Sequence, residues 1–320
     1  MRGTMPQARA EISPIDRVDV HLHTLSSDGG WTPTQLVDYL VEHEFKVVAV
    51  CDHDTMRSVP EFLEYSAAKG LIAVPGMEFT TAWDERQWHL LIYGIHPDDL
   101  NGSGIGALLA RQQANLRAAA ERAISLLEQH GHTLPSLNEQ IDGRPLLPVH
   151  VLRTVIKDGH ATNLTTAHQL VIKYGEDLRV DTSLETVVDA AHQAGGTCII
   201  AHPGRDDGEG LMSAERLDKM LTSIPIDGLE GHYRSYTLAD IERYREMALE
   251  RDLLISSGSD SHAPGVPVYP RPYHARWVAP FLATQGIEVA PFEGDAWTPD
   301  QALPVIEPPK VAASGSKPAT

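Results

Sequence analysis

The chain has 320 residues, 42% of them hydrophobic and 22% charged, with a formal net charge of −18. That length and apolar fraction suit a globular protein with a sizeable core, either one barrel with an insertion or two average domains. The acidic balance argues against broad binding to nucleic acid, which needs many Lys and Arg contacts, but not against a small phosphorylated substrate held beside metal ions.

No apolar run is long enough to span a bilayer, and residues 1–15 lack both periodicity and the apolar core of a signal peptide; they read as a lead-in. Cys51 and Cys198 each sit in an apolar stretch and read as buried reduced thiols, so a cytoplasmic location is expected. Short β-branched runs follow at 17–20, 46–51, 71–75, 89–95, 197–201, 226–230 and 253–257. Between the first two, residues 33–44 form an amphipathic helix pattern with Thr32 as N-cap. Strand–helix–strand alternation implies parallel strands and an α/β fold. Segments 16–98 and 186–285 read as two parts of one barrel. Segment 99–185 breaks the rhythm with a long helical pattern at 105–129 and shorter ones at 149–157, 165–174 and 184–193, a helical insertion. Residues 286–320, rich in Pro, Ala and Gly, read as a largely disordered tail.

Nearly every strand run ends in a side chain able to hold a metal ion. Asp19-Val-His21-Leu-His23 closes the first; positions i and i+2 of a strand share a face, so His21 and His23 point the same way. Alone, the pattern fits a pair of surface or core histidines equally well. Asp28 follows in a Ser-Asp-Gly-Gly turn that by itself is only a good turn, but barrel enzymes build their sites on loops after strand ends. The second run ends in Asp52-His53-Asp54. Packing does not explain it, because buried carboxylates are costly without partners; a His ligand oriented by flanking carboxylates does. Glu78, after the third run, has two oxygens with which to bridge two ions, and His89 opens the fourth.

After the insertion, an apolar run leads into His202-Pro203-Gly204-Arg205. The planar Arg205 guanidinium suits two phosphate oxygens, and a solvated surface arginine is the equal alternative. Glu230 and His232 follow the next run, and Asp260-Ser261-His262 the last. Imidazoles mixed with carboxylates, and no thiolate, suit Mn, Fe or Zn and argue against a structural zinc site. His43, His130, His132, His160, His168, His192 and His274 lie in helices or loops and read as solvated. His150 is intermediate, since it lies in the insertion after Gly143-Arg144-Pro145 and an insertion can form a lid.

In order, the stretches DVHLHTLSSDG, AVCDHDT, VPGMEF, WHLLIYG, IIAHPGR and SGSDSH resemble the PHP (polymerase and histidinol phosphatase) metal-dependent phosphoesterases over residues 19–262. Within that family the chain is most similar to stand-alone bacterial enzymes acting on nucleoside 3′,5′-bisphosphates and short RNA ends, which carry a helical insertion before the AHP motif. The resemblance implies a distorted (β/α)7 barrel, the PHP fold, holding two or three divalent ions. It places His21, His23, Glu78 and Asp260 around the first ion, Glu78, His89 and His202 around the second, and Asp28, His53 and His262 around the third. It further implies metal-assisted hydrolysis of a phosphate monoester, with Asp260 and Glu78 central and His232 a candidate acid or ligand. Arg205, His150 and Arg144 are the implied substrate contacts. Here the sequence departs from the group: two or three extra residues, among Leu146, Leu147, Pro148 and Val149, separate Pro145 from His150. Other readings stay open: histidinol phosphate or a cyclic sugar phosphate as substrate, amidohydrolase-like C–N hydrolysis (for which no bridging lysine is evident), or a non-enzymatic accessory module. A small phosphorylated substrate is the expected partner, with no membrane and no extended nucleic-acid surface.

Overall fold

The structure is a computed structural model and describes residues 10–141, 144–205, 211–264, 268–301 and 303. Strand β1 (Ala10–Ile12) and strand β2 (Arg17–Leu22) lead to helix α1 (Pro33–Glu42). The helix starts where its sequence specifies. The Thr32 hydroxyl accepts from Gln35 N, the Gln35 amide oxygen accepts from Thr32 N, and Pro33 fills the first turn. Strand β3 (Phe45–Val50), helix α2 (Val59–Ala68), and strands β4 (Ile72–Trp83) and β5 (Arg86–Tyr93) follow. Next come α3 (Gly104–Gln129), α4 (Leu137–Ile141), α5 (Pro148–Lys157) and α6 (Leu164–Lys173). The second half runs α7 (Leu184–Gln193), β6 (Thr197–Ile200), α8 (Ala214–Leu221), β7 (Gly228–Tyr233), α9 (Leu238–Leu249) and β8 (Leu254–Gly258). It ends with β9 (Tyr273–His274), α10 (Ala279–Thr284) and β10 (Ile287–Val289).

Eight strands form one sheet in the order β8-β7-β6-β5-β4-β3-β2-β9. Past β8 the chain returns to β2: Asp260 N donates to His21 O at 2.8 Å and His23 N to Ser261 O at 3.0 Å. These bonds nearly close the sheet into the expected distorted α/β barrel, while β1 and β10 pair separately. Strands β2 and β3 are buried on both faces, between outer helices and a filled interior, which is why they carry long apolar runs.

The sheet is mixed, whereas simple alternation implies parallel strands throughout. β4 continues to Trp83 and turns at Asp84 and Glu85, whose φ angles are 53° and 63°, and β5 returns antiparallel to it. Two left-handed residues suit the twist of a tight hairpin, but Asp-Glu lacks the Asn-Gly signature that announces one. β5 is antiparallel to β6 as well. The reversal carries function, because it brings the first half of β5, with His89, to the rim where the parallel strands end.

Two apolar cores divide the chain. Ile105 and Leu109 of α3 pack in the barrel core, whereas Ala119, Ala120, Ala123 and Leu127 join Val151, Val155, Ala167 and Val171 in a second one. Helix α7 packs on the barrel through Leu184, Val187, Val188 and Ala191. Buried Gln112 ties the units together: it donates to Thr80 O at 3.1 Å and accepts from Thr182 Oγ1 at 2.7 Å. The segment after Trp277 is better ordered than its composition suggests. β10 pairs with β1, Trp277 Nε1 donates to Gln301 Oε1 at 2.6 Å, and Trp297 and Leu303 pack on the core. Residues 1–9, 302 and 304–320, part of the lead-in and tail expectations, lie outside the described residues, as does Gly143. Among the described residues no helix is long and apolar enough to cross a membrane.

Candidate metal centre

At the rim formed by the strand ends, Glu78 sits within β4, fully buried, among five imidazoles. Its Oε2 lies 3.1 Å from His21 Nε2, 3.1 Å from His23 Nε2 and 3.3 Å from His53 Nδ1. Its Oε1 lies 2.9 Å from His89 Nδ1 and 3.1 Å from His202 Nε2. Each oxygen thus faces its own set of nitrogens, the arrangement expected of a bridging carboxylate. Asp260 Oδ1 approaches His23 Nε2 at 3.0 Å, completing a buried grouping of His21, His23, Glu78 and Asp260. A second grouping joins Asp28 with His23, His53 and His262, with Asp28 Oδ1 3.0 Å from His262 Nε2. A third joins His53, Glu78 and His89, with His202 beside Glu78 rather than within the group. His23 therefore serves two groupings, one through each ring nitrogen, and His53 lies between the second and third.

The supporting residues explain how the rim holds this geometry. Asp52, buried one residue before His53, accepts from Thr24 N at 2.8 Å, Thr24 Oγ1 at 2.6 Å and Ser27 Oγ at 2.6 Å, and also from the Ser58 hydroxyl. It pins the loop that carries Asp28. Gly29 is required in this loop, because a Cβ there would lie 2.5 Å from the His23 carbonyl. We expect Asp52→Ala to leave these donors unsatisfied and cost about 3 kcal/mol or more, read as a lower Tm, with metal affinity falling alongside. Glu230, which the sequence offered beside His232 after a strand run but without a role, is buried within β7. It accepts from His202 N at 2.7 Å and pairs with His21 Nδ1 at 2.9 Å, orienting two rings at once. Asp260 Oδ2 is gripped by Tyr233 Oη at 2.8 Å and Arg234 Nη1 at 2.5 Å, two further contacts the sequence did not mark. Asp54, His202 and Asp260 all have positive φ (51°, 29° and 49°), backbone strain of the kind that collects at functional sites.

His232 is not part of the centre. A register shift between Glu230 and His232 inserts Gly231 as a bulge, so the two residues no longer share a face. His232 points away from the centre, stacks on Trp277 at 4.9 Å and accepts from Arg245 Nη1 at 2.9 Å, and burial holds its pKa well below the usual value. Arg205 does reach the rim: its Nη1 lies 3.4 Å from Asp260 Oδ2 and its side chain is 42% exposed. Arg144 faces elsewhere than expected, whereas His150 lies beside the loop of Ser27 and Asp28. Arg144 donates to the carbonyls of Ile141, at 2.9 Å, and Gln140. His150 is buried, and burial with the nearby Arg144 and Arg153 guanidiniums pulls its pKa down to about 4. Arg153 is the insertion residue that touches the centre, donating to Asp28 O at 2.9 Å.

The donors fit divalent cations. They are nitrogen and carboxylate oxygen atoms that lie within 4.8 Å of one another in each grouping, and the buried Nδ1 of His23 makes no hydrogen bond. With protons alone, burial opposes every charge here, yet the groups charge one another. Burial would lower His23, but the hydrogen bonds its ring donates to Asp260 and Glu78 raise it to about 10. Burial would raise Glu78, but His53, His21 and His89 hold it well below the usual carboxylate range. A fourth grouping, His192, Cys198 and Asp227, lies apart at the start of β6. Hydrogen bonding accounts for it, since Asp227 Oδ2 accepts from Cys198 N at 2.6 Å and sits 2.8 Å from His192 Nε2.

Comparison with known proteins gives the same picture. The family model described as PHP domain matches residues 19–262. A 3′,5′-nucleoside bisphosphate phosphatase of Chromobacterium violaceum is 28% identical over 78% of this chain and 88% of its own. The 5′-3′ exoribonuclease Rnm of Salmonella typhimurium is 28% identical over 77% of this chain and 85% of its own. Among solved structures, a protein of Bifidobacterium adolescentis described as a candidate metal-dependent phosphoesterase superposes with a TM-score of 0.66 at 27% identity, covering 81% of this chain and 92% of that one.

Proposed function

The chain belongs to the PHP domain family, and from that premise we propose that it is a metal-dependent phosphoesterase hydrolysing a phosphate monoester of a nucleotide, of the 3′,5′-bisphosphate type or at a short RNA end. The observation that carries this reading is Glu78, whose two oxygens face separate sets of imidazoles at the mouth of the barrel. His21, His23, Glu78 and Asp260 would hold one ion, Glu78, His89 and His202 a second, and Asp28, His53 and His262 a third. Mn, Fe or Zn suits this donor set, and such ions supply Lewis acidity for phosphoryl transfer.

The chain's own residues supply the rest. Arg205, at the rim beside Asp260, is placed to neutralise phosphoryl oxygens. Asp260 is fixed by Tyr233 and Arg234. In the net reaction an oxygen from water bonds to phosphorus, the ester P–O bond breaks, and the departing ribose oxygen takes up the proton that water gives up. The nucleotide preference is supported by the activities named for the two relatives. The buried free thiols of Cys51 and Cys198 support a cytoplasmic location.

The test is a substrate panel with the Mn-, Fe- and Zn-loaded protein: adenosine 3′,5′-bisphosphate, a 5′-phosphorylated RNA oligomer, histidinol phosphate, a cyclic sugar phosphate and a simple amide. Turnover of either nucleotide substrate well above the others is the expected result. Amide cleavage without phosphate release, or a protein that binds no metal, would overturn the reading.

A further inference from the structure

Two cavities open on His53, and residues 146–149 lie between them. The larger, about 620 Å³, is lined by Met56, Arg57, Leu109, Arg117, Leu146 and Leu147, among others. The smaller, about 250 Å³, runs past His89 and is bounded by Leu147, Pro148 and Val149. Leu147 belongs to both walls, so residues 146–149 are the partition. The partition is held in place: Pro148 opens α5, and Leu147 N donates to His150 Nδ1 at 3.2 Å. Neither Arg144 nor His150 lines either cavity.

Arg57 does line the larger one. It is exposed, and it has no ion-pair partner among the described residues. Arg117 lines the same cavity from α3, although it also pairs with Glu121 at 2.9 Å. In a chain of net charge −18, two guanidiniums on a cavity that begins at the candidate metal centre favour an anionic occupant. On the walls of the same cavity Met56, Leu109, Leu146 and Leu147 offer apolar surface for a flat ring, and the volume suits a small ligand.

We propose that the larger cavity binds the nucleoside of a doubly phosphorylated nucleotide, with the ring system against Leu146 and Leu147 and the second phosphate on Arg57, while the first phosphate lies at the centre. This rests on the phosphoesterase reading of the centre. It puts recognition of the second phosphate on a residue of the loop after β3, where the family resemblance implied Arg144 and His150 as substrate contacts.

The decisive ligand is adenosine 5′-monophosphate, the part of a 3′,5′-bisphosphate left after its 3′-phosphate is removed. It carries the nucleoside and only the second phosphate, so its binding to the metal-depleted full-length protein reports on the cavity alone. By calorimetry, Arg57→Gln is expected to weaken this binding about tenfold or more, the loss of one charge-assisted contact. Leu147→Ser is expected to weaken it several-fold for AMP and adenosine alike. That variant places a good N-cap residue at the start of α5, so lost binding is not lost folding. Binding of AMP unchanged by both substitutions overturns the proposal, as does AMP binding no tighter than adenosine. Turnover by the metal-loaded protein is a separate readout. Arg57-dependent AMP binding without turnover of any phosphate ester upholds the cavity and refutes the phosphoesterase reading. Bisphosphate turnover with Arg57-independent AMP binding does the reverse.

Discussion

Glu78→Gln is expected to lower phosphoesterase turnover about a thousandfold and to strip most bound metal, measured by single-substrate kinetics and elemental analysis of the same preparation. The substitution keeps the side chain's shape but replaces one oxygen by an NH₂ group. Whichever way the amide turns, one set of imidazoles loses its acceptor: His21, His23 and His53 on one side, or His89 and His202 on the other. The nearest carboxylates are already engaged, Glu230 with His21 and the His202 amide, and Asp260 with His23 through Oδ1 and with Tyr233 and Arg234 through Oδ2. Full metal content with full turnover would remove Glu78 from the centre. His232→Phe is the matched control. Its ring stacks on Trp277 behind the bulge, so metal content and turnover should stay within about twofold, while loss of the Arg245 hydrogen bond lowers Tm by a few degrees.

The contrast between those two residues shows what was legible in the sequence. Side chains at strand ends were readable because a strand that is apolar on both faces leaves no packing reason for a terminal His or Asp. This holds for His21, His23, His53, His202 and Asp260. Alternation failed at Glu230 and His232, where one inserted glycine reverses the face, and a bulge has no composition of its own. It also gave no sign that β4 runs past Glu78 into a hairpin, because Asp84-Glu85 adopts left-handed backbone without the residues that favour it. The roles of Asp52 and Glu230 were hidden for a different reason, although both residues stood out: Asp52 reads as a carboxylate that orients His53, yet it holds the loop of Asp28. Their partners are backbone amides and hydroxyls contributed by elements distant in sequence, a relation that only the closed barrel creates. The substrate side was least legible: Arg144 and His150 carry the family pattern, yet residues 146–149 and not these two line the cavities at the mouth of the site.

The metal-free protein should lose stability as pH rises from about 6.5 toward 10, and metal should abolish that loss. His21, His23 and His89 have folded pKa values above their unfolded value of 6.5, with His23 raised to about 10, because Glu78, Glu230 and Asp260 outweigh burial. A base whose pKa is raised on folding contributes fully below the unfolded pKa, and the contribution disappears as pH climbs through the folded one. Asp28, Glu78 and Asp260 are depressed by the same histidines, so their contribution is present above about pH 4.5 and is lost in acid. His53 and His150, lowered to about 3 and about 4 chiefly by burial, work the other way and weaken the fold as pH falls below 6.5, which trims the acid side of the optimum. The metal-free Tm should therefore peak near pH 5–7 and decline to pH 9, with the steepest fall above neutrality. A divalent ion takes the place of the protons on His21, His23 and His89, so loading at pH 7.5 should release protons into a weakly buffered solution. The loaded protein's Tm should then hold or rise over the range where the metal-free one falls. A metal-free Tm that is flat or rising from pH 6.5 to 9, with no proton release on loading, would mean that these histidines are neutral in the folded chain and that the centre is not held together by shared protons awaiting a metal.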